Sequence, residues 1–466
     1  MTLHLQFINN IGQLFPGEEA RRLLDAITGT EAVTSIRVNA AKTALRPLGD
    51  RVPWCETGYY LSGHEPFTFD PFFHAGLYYV QDASSMIIDH IVRTLIDRPV
   101  RYLDLCAAPG GKTTAALSAL PQGSLMVCNE VVPQRANILK ENVMKWGNPA
   151  CVVASDDSSR WGKLTHLFDV VAADVPCSGE GMFRKDAEAV TQWSPGLVEQ
   201  CAGRQRLIID NVWNALAPGG LFIYSTCTYN RDEDETMVEY MVSQYGAEPV
   251  SLDMPREWNI ACGVGGEDYC YRFLPHRTRG EGLFVCVLRK PDDEVRASLS
   301  VSDKRRNTRQ AAAVKVPECV KQWLACATGY SFTVNGDTVS AVPEVSARDM
   351  DVIASQVKVL SRGVEMGNIK GKDVVPAHSL ALSTALNHDA FREVEIEYND
   401  TIAYLRGDAV SLGDVPRGMV LLRYRGVPIG FAKQIGNRAN NLYPREWRIR
   451  STHAPAVPPE ILKCVL

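Results

Sequence analysis

Residues 101–114, RYLDLCAAPGGKTT, decide the fold. Their pattern predicts a buried strand at 101–105, followed by a Gly-rich turn and a helix near 112–120. Beyond this stretch, short apolar runs alternate with helical patterns, which is typical of a parallel sheet covered by helices. We therefore predict an α/β fold built on a Rossmann-like sheet.

The sequence predicts four more strands in this sheet, at 124–129, 150–154, 168–173 and 221–226. A helix is expected at 133–146, because proline suits a helix start and apolar residues then recur at helical spacing. Another helix, at 198–216, is expected to end at Pro218-Gly219-Gly220, a stop-and-turn signal.

Composition indicates an ordinary globular protein. The chain has 466 residues, 45% of them hydrophobic and 22% charged, a length typical of about three domains. We find no apolar run of about 18 residues and no basic-then-apolar leader, so we expect a cytoplasmic protein without a membrane partner. The 13 cysteines form no CxxC pair and no cluster with histidine at zinc-ligand spacing, so neither a disulfide framework nor a metal site is expected.

Changes in composition along the chain suggest its domain boundaries. The stretch from residue 290 is polar, charged and without apolar periodicity, which is typical of a linker. Beyond it, short β-rich runs at 332–342, 393–405 and 419–424 are separated by glycine and proline turns. The predicted parts are a helical and mixed N-terminal extension (1–73), the central α/β domain (74–289), a linker (290–313), a small α+β module (314–388) and a C-terminal module (389–466).

Each of the five predicted strands is followed by acids or thiols. In an open α/β sheet, ligands bind outside the carboxyl ends of the strands, so these residues should line one crevice. A single acid after a strand is usually a helix N-cap or a turn residue, and we expect Asp157 to be an N-cap and Asp156 a ligand. The residues are Asp104 with the loop 106–112, Glu130, Asp156 and Asp157, Asp174 with Cys177, and Cys227.

The loop at 107–114 resembles two nucleotide-binding motifs but matches neither. A Walker A loop needs glycine where this chain has Cys106, and the GxGxxG pattern is missing, so ATP and NAD are not supported. The turn still lets backbone amides approach a carboxylate. Glu130, nineteen residues after Gly111, is placed to accept hydrogen bonds from a ribose. A ligand with a ribose and an amino-acid end is S-adenosylmethionine.

Four motifs stand out in the central part of the sequence: QDASSM (81–86), LDLCAAPGGKTT (103–114), DVPCSGEG (174–181) and YSTCTYN (224–230). With these motifs, residues 78–288 resemble the Nop/Sun family of RNA cytosine-5 methyltransferases. The later stretches GVPIGFAKQIGNR and YPREWR are similar to the tail of bacterial members that act on small-subunit ribosomal RNA. The resemblance implies a methyltransferase sheet and a PUA-like RNA-binding module at the C-terminus. It also implies methyl transfer from S-adenosylmethionine to C5 of a cytosine in 16S ribosomal RNA.

The resemblance also implies roles for single residues. Cys227 would be the nucleophile, and Cys177 the second cysteine that helps resolve the covalent intermediate. Asp174 would act in catalysis as well as in cofactor binding. The implied cofactor contacts are Cys106, Ala107, Ala108, Pro109, Gly110, Gly111, Lys112, Glu130, Asp156 and Asp174.

The chemistry explains why two cysteines and an acid are needed. Cytosine C5 is a poor nucleophile, so a thiolate must first add at C6 and push electron density onto C5. After transfer the C5 proton must leave and the thiol must be expelled. Cys177 would act as that base, directly or through water, or would assist expulsion of Cys227. Asp174 is placed to hold N3 or the exocyclic amine of the cytosine.

The C-terminal part contains a basic stretch although the whole chain has a net charge of −5. Residues 417–450 contain eight Lys or Arg and one acid, Glu446, which suits RNA phosphates. Tyr424, Phe431, Tyr443 and Trp447 lie among these cations, and aromatic rings can stack on bases. We expect an RNA partner, either ribosomal RNA or the small ribosomal subunit, and a monomeric protein. The predicted RNA-binding residues are Arg423, Arg425, Lys433, Arg438, Arg445 and Arg448.

Other readings stay open at this point. The chain could be a transfer RNA or DNA cytosine-5 methyltransferase, and in the DNA enzyme Cys177 would be the attacking thiol. It could also be an RNA-binding assembly factor without turnover on a methyltransferase scaffold. The sequence leaves open which cytosine is modified and whether naked RNA or an assembled subunit is bound.

Overall fold

The computed structural model describes residues 2–63, 65–292, 316–371, 373–451 and 453–463. Its N-terminal part combines helices with an antiparallel sheet in the order β2-β1-β3. Glycine at 17 and an acidic first turn begin the second helix, whose buried face carries Leu23 and Ile27. The elements are α1 (Leu5–Leu14), α2 (Glu18–Gly29), β1 (Ser35–Val38), β2 (Gly58–Tyr60), α3 (Pro71–His74) and β3 (Tyr78–Val80).

The central part alternates strands and helices, as the sequence predicts. Its elements are α4 (Ile87–Leu95), β4 (Arg101–Asp104), α5 (Gly111–Ala119), β5 (Leu125–Asn129), α6 (Pro133–Trp146), β6 (Cys151–Ala154), α7 (Ser158–Trp161), β7 (Phe168–Asp174), α8 (Ala187–Gln192), α9 (Pro195–Val212), β8 (Leu216–Thr226), α10 (Glu235–Tyr245), β9 (Glu248–Pro249), β10 (Ala261–Cys262), β11 (Cys270–Phe273) and β12 (Leu283–Arg289).

The C-terminal part contains short helices and two four-stranded sheets, one antiparallel throughout and one with a parallel pair. Its elements are α11 (Glu318–Lys321), β13 (Tyr330–Asn335), β14 (Thr338–Pro343), α12 (Glu344–Ala354), β15 (Val359–Arg362), β16 (Val364–Lys370), β17 (Asp373–Pro376), α13 (His378–Leu382), β18 (Arg392–Glu395), α14 (Tyr398–Arg406), β19 (Gly418–Tyr424), β20 (Val427–Gln434) and β21 (Ala439–Asn441). The predicted linker lies outside the described residues from 293 onward.

The large central sheet has the strand order β10-β11-β12-β8-β7-β4-β5-β6-β15. The stretch from β8 to β6 is parallel, and β12 joins it antiparallel. Because β4 has β5 on one side and β7 on the other, the strand order reverses there. Such a switch point creates a crevice outside the carboxyl ends of the strands. The predicted Rossmann-like sheet is therefore confirmed, and its ligand edge is the edge where the predicted site residues lie.

The prediction of the helix before β8 was wrong at its C-terminal end. The helix α9 begins after Ser194, whose hydroxyl accepts a hydrogen bond from the Leu197 amide, and it ends at Val212. The Pro218-Gly219-Gly220 sequence lies inside β8, where the pairing with β7 shifts register. Proline donates no ladder hydrogen bond and Gly219 has a φ of 70°, so this sequence forms an irregularity in a strand.

A strand from the C-terminal part completes the central sheet. β15 pairs antiparallel with β6, with Val359 opposite Ala154. The preceding helix α12 adds the buried side chains of Met350 and Ile353 to the apolar cluster on one face of the sheet. An exposed edge strand is a site of unwanted pairing, and β15 covers the edge of β6.

The β-rich prediction for 393–405 was wrong in its second half. Residues Arg392–Glu395 form β18, but Tyr398–Arg406 form the helix α14. Burial of Ile402 and Leu405 on one helical face, with Gly407 at a φ of 86° as the C-cap, accounts for the helix. Tyrosine, isoleucine and threonine favour strands as single residues, and tertiary packing overrides that preference here.

The two ends of the chain pack against each other. Ile36 and Val38 of β1 belong to the same apolar cluster as Tyr404 and Leu422. Helices α1 and α2 pack on Phe183 and other residues that follow β7. The N-terminal extension therefore contacts both the C-terminal module and a loop beside the ligand edge of the sheet.

Candidate active site

A pocket of about 280 Å³ lies at the ligand edge of the central sheet. The pocket is lined by the ends of β4 and β7, the Gly-rich turn, and β3 with the segment after it. Met182, from the loop after β7, forms part of its wall and is 36% exposed. The lining residues are Tyr79, Val80, Gln81, Asp82, Ser85, Asp104, Cys106, Ala107, Ala108, Pro109, Gly111, Lys112, Asp174 and Met182.

The Gly-rich turn leads directly into α5. Gly110 is the N-cap residue with a φ of 111°, a conformation that L side chains rarely adopt. An added Cβ at this position would also lie 3.2 Å from the Leu139 side chain. No side chain caps this helix end, so the first amides of α5 are available to an anionic ligand.

Asp174 is held between a cation and a hydroxyl group. Its Oδ2 accepts a hydrogen bond from Lys112 Nζ at 2.8 Å, and its Oδ1 accepts one from Ser225 Oγ at 2.8 Å. Burial alone would lower the pKa of Lys112, but the Asp174 carboxylate reverses this, and the pKa is raised. Lys112 therefore stays an ammonium group, and the two hydrogen bonds orient the Asp174 carboxyl group in the pocket.

The two cysteines implied as catalytic are neighbours. Cys177 follows β7, Cys227 follows β8, and these strands are paired and parallel. The sulfur atoms lie 3.1 Å apart, and the Cys227 amide donates to Cys177 Sγ at 3.3 Å. Both are free thiols that are partly accessible. The geometry therefore allows one substrate atom to meet both sulfurs.

The two sulfurs are not equivalent. The hydrogen bond with Cys227 and burial both raise the pKa of Cys177 well above its ordinary value. Cys177 thus keeps its proton at neutral pH and can donate it to the neighbouring sulfur. This arrangement suits one thiolate with a thiol beside it.

A buried carboxylate network beneath the cysteines was not found from the sequence. Glu233 accepts hydrogen bonds from the Ser178 amide at 2.9 Å and from Asn230 Nδ2 at 2.7 Å. Glu180 accepts one from the Tyr229 amide at 2.9 Å. These contacts fix the loops that follow each cysteine. The EG pair in DVPCSGEG and the RDED run that follows YSTCTYN were the available signals.

Asp104 lines the pocket, although the resemblance did not imply it as a cofactor contact. It is 3% exposed, and its Oδ2 accepts a hydrogen bond from Thr113 Oγ1 at 2.6 Å. Burial raises its pKa to about 7, and the nearby Asp174 carboxylate acts in the same direction. A buried acid that titrates near neutral pH is characteristic of functional sites.

Replacing Asp104 with asparagine is expected to stabilise the fold at neutral and alkaline pH. The folded-state pKa is about 7 against an ordinary 3.8, so the folded protein binds this proton more tightly than the unfolded chain. The cost of the charge therefore grows as the pH rises from about 4 to about 7. The variant should gain on the order of 2–4 kcal/mol at pH 8 and little at pH 4, measured by urea unfolding. The control is Asp268→Asn at an exposed site, and an Asp104 gain that does not vary with pH would contradict the assignment.

Glu130 and the acids after β6 lie beside the pocket and do not line it. Glu130 is 3% exposed and accepts a hydrogen bond from the Val132 amide at 2.9 Å. Asp157 caps α7 through the Ser159 amide, in agreement with its predicted role. Both oxygens of Asp156 accept backbone hydrogen bonds, one of them from Lys358 at the start of β15.

Asn129 is a further residue that sequence reasoning missed. Its Nδ2 donates to the Leu105 and Asp156 carbonyl oxygens at 3.1 and 3.0 Å, and its Oδ1 accepts from the Asp156 amide at 3.0 Å. One amide side chain therefore ties the ends of β4, β5 and β6 together. Its position as the last residue of β5, before Glu130, was the signal.

The six predicted RNA-binding cations fall into two groups. Arg423 forms an ion pair with Glu393, and it donates to the Gly426 carbonyl oxygen. Arg448 is half-buried against Gly407, where an added Cβ would lie 2.2 Å from its guanidinium group. These two arginines thus make intramolecular contacts. The exposed members are Arg425, which also forms an ion pair with Glu460, Lys433, Arg438 and Arg445.

The prediction that aromatic residues of the basic stretch are suited to unstacked bases was wrong for the fully buried rings. Tyr424, Phe431 and Tyr443 are 5%, 1% and 3% exposed. They pack in the apolar clusters of the C-terminal module, with the half-buried Trp447 against one of them. The rings form part of the module's core, together with aliphatic side chains such as Ile402 and Leu422.

Neither a membrane-spanning helix nor a metal cluster is found in the described part of the chain. Across the described ranges, every helix is too short or too polar to cross a bilayer. Within the same ranges, His, Cys, Asp and Glu side chains do not form a group of three or more that could hold a metal ion.

Family models match three parts of the chain. Residues 97–289 match the model described as 16S rRNA methyltransferase RsmB/F. Residues 3–83 match the N-terminal domain of 16S rRNA methyltransferase RsmF, and residues 391–449 match the methyltransferase RsmF PUA domain. The predicted PUA-like module at the C-terminus is therefore confirmed.

Whole-chain relatives carry the same description. Ribosomal RNA small subunit methyltransferase F of Klebsiella pneumoniae is 30% identical over 438 residues, which cover 88% of this chain and 89% of the relative. The protein of that name from Shewanella sp. strain MR-4 is 28% identical, with 96% and 97% covered.

Solved structures share the fold. A methyltransferase homolog from Pyrococcus horikoshii aligns with a TM-score of 0.51 at 24% identity and covers 62% of this chain and all of its own. NSun6 from the same organism aligns with a TM-score of 0.53 at 19% identity, covering 62% and 99%. With matches to all three RsmF models and a relative aligned over nearly its whole length, the chain belongs to the RsmF family of 16S rRNA methyltransferases.

Proposed function

We propose that this protein transfers a methyl group from S-adenosylmethionine to C5 of a cytosine in 16S ribosomal RNA. The observation that carries the proposal is the pair of free thiols, Cys177 and Cys227, 3.1 Å apart at the ends of adjacent parallel strands. Methylation at oxygen or nitrogen has no need of two thiols. Methylation at a pyrimidine carbon needs a nucleophile to add and then to leave.

The pocket residues fit the proposed methyl donor. The uncapped amides of α5 suit a carboxylate, and the Glu130 carboxylate has acceptor capacity left for ribose hydroxyls. S-adenosylmethionine, when bound, supplies an electrophilic methyl group. We assign residues 106–112, Glu130, Asp156 and Asp174 to its binding, as the resemblance implies.

The thiols divide the covalent chemistry between them. Cys227 Sγ adds to C6 as a thiolate, and the electron pair of the C5–C6 double bond moves onto C5. After methylation at C5, the C5 proton must leave and the Cys227–C6 bond must break. Cys177 lies close enough to donate its proton to the Cys227 sulfur as the Cys227–C6 bond breaks, and the thiolate this leaves at Cys177 then accepts the C5 proton, directly or through water, as the C5–C6 double bond re-forms. The raised pKa of Cys177 supports this order of roles, because a thiol that holds its proton is the poorer nucleophile of the pair.

Asp174 and Lys112 orient the base. The carboxylate already accepts hydrogen bonds from an ammonium and a hydroxyl group, so it faces the pocket as an acceptor. The exocyclic amine of cytosine is a donor and N3 is an acceptor. We therefore propose that Asp174 accepts a hydrogen bond from the exocyclic amine. The sequence had left open whether Asp174 holds this amine or N3.

The substrate assignment rests on the family and on the C-terminal module. The relatives are named as small-subunit ribosomal RNA methyltransferases. We propose that residues 389–466 bind RNA through their exposed cations, that the domain division given above holds, and that the protein acts on ribosomal RNA in the cytoplasm.

Bisulfite sequencing of 16S ribosomal RNA tests the proposed function. Cells that lack the gene should lose one protected cytosine, and the wild-type gene should restore it. The gene with Cys227→Ala should not restore it. Loss of a protected site in transfer RNA alone would identify transfer RNA, and not 16S ribosomal RNA, as the substrate. An unchanged pattern in every RNA would refute cytosine methylation.

RNA binding should depend on salt through the exposed cations. Reversing the charges of Lys433, Arg438 and Arg445 is expected to make the log–log salt dependence of RNA binding shallower by about 2–3. Each phosphate contact contributes roughly 0.7–0.9 to this slope. The measurement is fluorescence anisotropy with a labelled RNA fragment at several salt concentrations.

The matched control reverses Arg98, Lys163 and Arg289. These cations lie at the amino ends of the parallel strands, on the side of the sheet opposite the pocket. Equal losses in both triple variants would mean that net charge alone drives binding. An unchanged slope in the first variant would leave the C-terminal cations without a role in RNA binding.

A further inference from the structure

The segment after β3, the strand that pairs with β1 of the N-terminal extension, places an unused hydrogen-bond donor in the cofactor pocket. Gln81 follows β3 directly, lines the pocket and is only 7% exposed. Its Nε2 is buried and has no hydrogen-bond partner among the described residues. A buried amide group without a partner costs roughly 1–3 kcal/mol, so such groups are normally satisfied.

The orientation of this amide is fixed from behind. Arg37 of β1 donates from Nε to Gln81 Oε1 at 2.9 Å. Since a guanidinium group has donors and no acceptor, the oxygen of Gln81 must face Arg37 and the NH2 group must face away. The NH2 group lies at the first residue of α5, because an added Cβ at Gly111 would be 3.4 Å from Gln81 Nε2.

Arg37 itself has no directly bonded counter-charge, and the Asp89 carboxylate that acts on it electrostatically is ion-paired with Arg93. It is fully buried, and its other hydrogen bonds go to Thr114 Oγ1 at 2.5 Å, Ser118 Oγ at 3.2 Å and the Gly111 carbonyl oxygen at 3.4 Å. Within the described ranges no carboxylate forms an ion pair with it. Burial lowers its pKa to about 10, which leaves it charged at neutral pH. A buried unpaired cation is costly unless an anion binds nearby.

Three features therefore converge on one point: an uncapped helix N-terminus, an unpartnered amide NH2 group and a buried cation. We propose that Gln81 Nε2 and the first amides of α5 bind the amino-acid carboxylate of the methyl donor, and that Arg37 is a positioning residue that orients the Gln81 amide. This rests on the proposed function, because it takes S-adenosylmethionine as the ligand. The strand β1 of the N-terminal extension thereby becomes part of the cofactor site.

The test compares two ligands that differ at the amino-acid end. S-adenosylhomocysteine carries the carboxylate, whereas 5′-methylthioadenosine keeps the adenosine and lacks the amino-acid group. Without RNA, calorimetry on Gln81→Met should show roughly 10- to 100-fold weaker binding of S-adenosylhomocysteine, the cost of losing a hydrogen bond to a charged group. Binding of 5′-methylthioadenosine should stay within about twofold. Gln81→Glu places a second carboxylate beside that of the ligand. It should weaken the binding of S-adenosylhomocysteine further and leave the binding of 5′-methylthioadenosine unchanged.

The Arg37 variants separate positioning from packing. Arg37→Leu should selectively weaken the binding of S-adenosylhomocysteine, as Gln81→Met does. Arg37→Lys can still donate to Gln81 Oε1 and should keep most of the affinity for this ligand. Gln192→Met makes the same change at an exposed helix position and should bind both ligands as the wild type does.

Two results would overturn the proposal: equal weakening of both ligands in Gln81→Met, or unchanged binding of S-adenosylhomocysteine. An RNA phosphate as the true anion would give the second result, with a loss of RNA affinity instead. A wild-type protein that binds neither adenosyl ligand would refute the proposed function itself, which is a distinguishable outcome.

Discussion

Replacing Cys227 with alanine is expected to lower methyl transfer to RNA by a factor of at least about 10³ and to abolish any covalent RNA adduct. The reason is that C5 of cytosine gains nucleophilic character only when a thiolate adds at C6. Loss of Cys227 removes the hydrogen bond that raises the pKa of Cys177, but burial still raises it, and the Cys177 sulfur follows β7 rather than β8, so it is a poor replacement. Transfer of labelled methyl groups to 16S ribosomal RNA measures the loss.

Cofactor binding should survive in this variant, because Cys227 is neither among the residues that line the pocket nor among those assigned to the methyl donor. Cys326→Ala, at an exposed cysteine in the C-terminal part, is the matched control and should keep full activity. Retention of more than about a tenth of the activity in Cys227→Ala would argue against covalent catalysis by this residue.

Replacing Cys177 with alanine is expected to trap the enzyme on its RNA. Addition at C6 and methylation at C5 do not require this residue in the proposed scheme, so one round of transfer should still occur. Release should fail, because the group that serves proton removal and thiol expulsion is gone. The protein should then run as a retarded, nuclease-sensitive band on a denaturing gel, and multiple turnover should fall by roughly 10²-fold or more.

The double variant Cys177→Ala with Cys227→Ala separates this trap from tight non-covalent binding. Its band should run at the position of free protein. If Cys177→Ala turns over normally, the second thiol has no part in release, and the proximity of the two sulfurs must be explained in another way.

Much of the ligand edge was predictable because it is encoded locally. A buried strand followed by glycine, acids or cysteine is visible within a window of a few residues, as at Asp104, Asp174 and Cys227. The topology rule that ligands bind outside the carboxyl ends of parallel strands then assembles these residues without coordinates. The 3.1 Å contact between two sulfurs fifty residues apart follows from pairing of β7 with β8.

What the sequence did not reveal depends on contacts between distant segments. The pairing of β15 with β6 brings together residues about 200 positions apart, and no local pattern indicates it. The contacts of Arg37 and Gln81 with each other and with α5 form only when β1 and β3 pack beside that helix. Asn129 and Glu233 were hidden for the same reason, because their acceptors and donors lie on other loops.

The C-terminal module shows where composition misleads. Aromatic residues among cations suggest stacking on bases, but a module of this size also needs large side chains for its own core. Tyr424, Phe431 and Tyr443 serve that core. The cations divide in a similar way, since Arg423 makes an internal ion pair whereas Lys433 and Arg438 remain exposed.

The most direct test of the central claim is to locate the RNA on the trapped protein. Cys177→Ala is incubated with S-adenosylmethionine and 16S ribosomal RNA, digested with nuclease and protease, and analysed by tandem mass spectrometry. We expect a methylated cytidine nucleotide attached to the peptide that contains Cys227, and none in the double variant. A nucleotide attached to the Cys177 peptide of the Cys227→Ala protein, with no adduct on Cys227 in Cys177→Ala, would contradict it and reverse the roles of the two thiols.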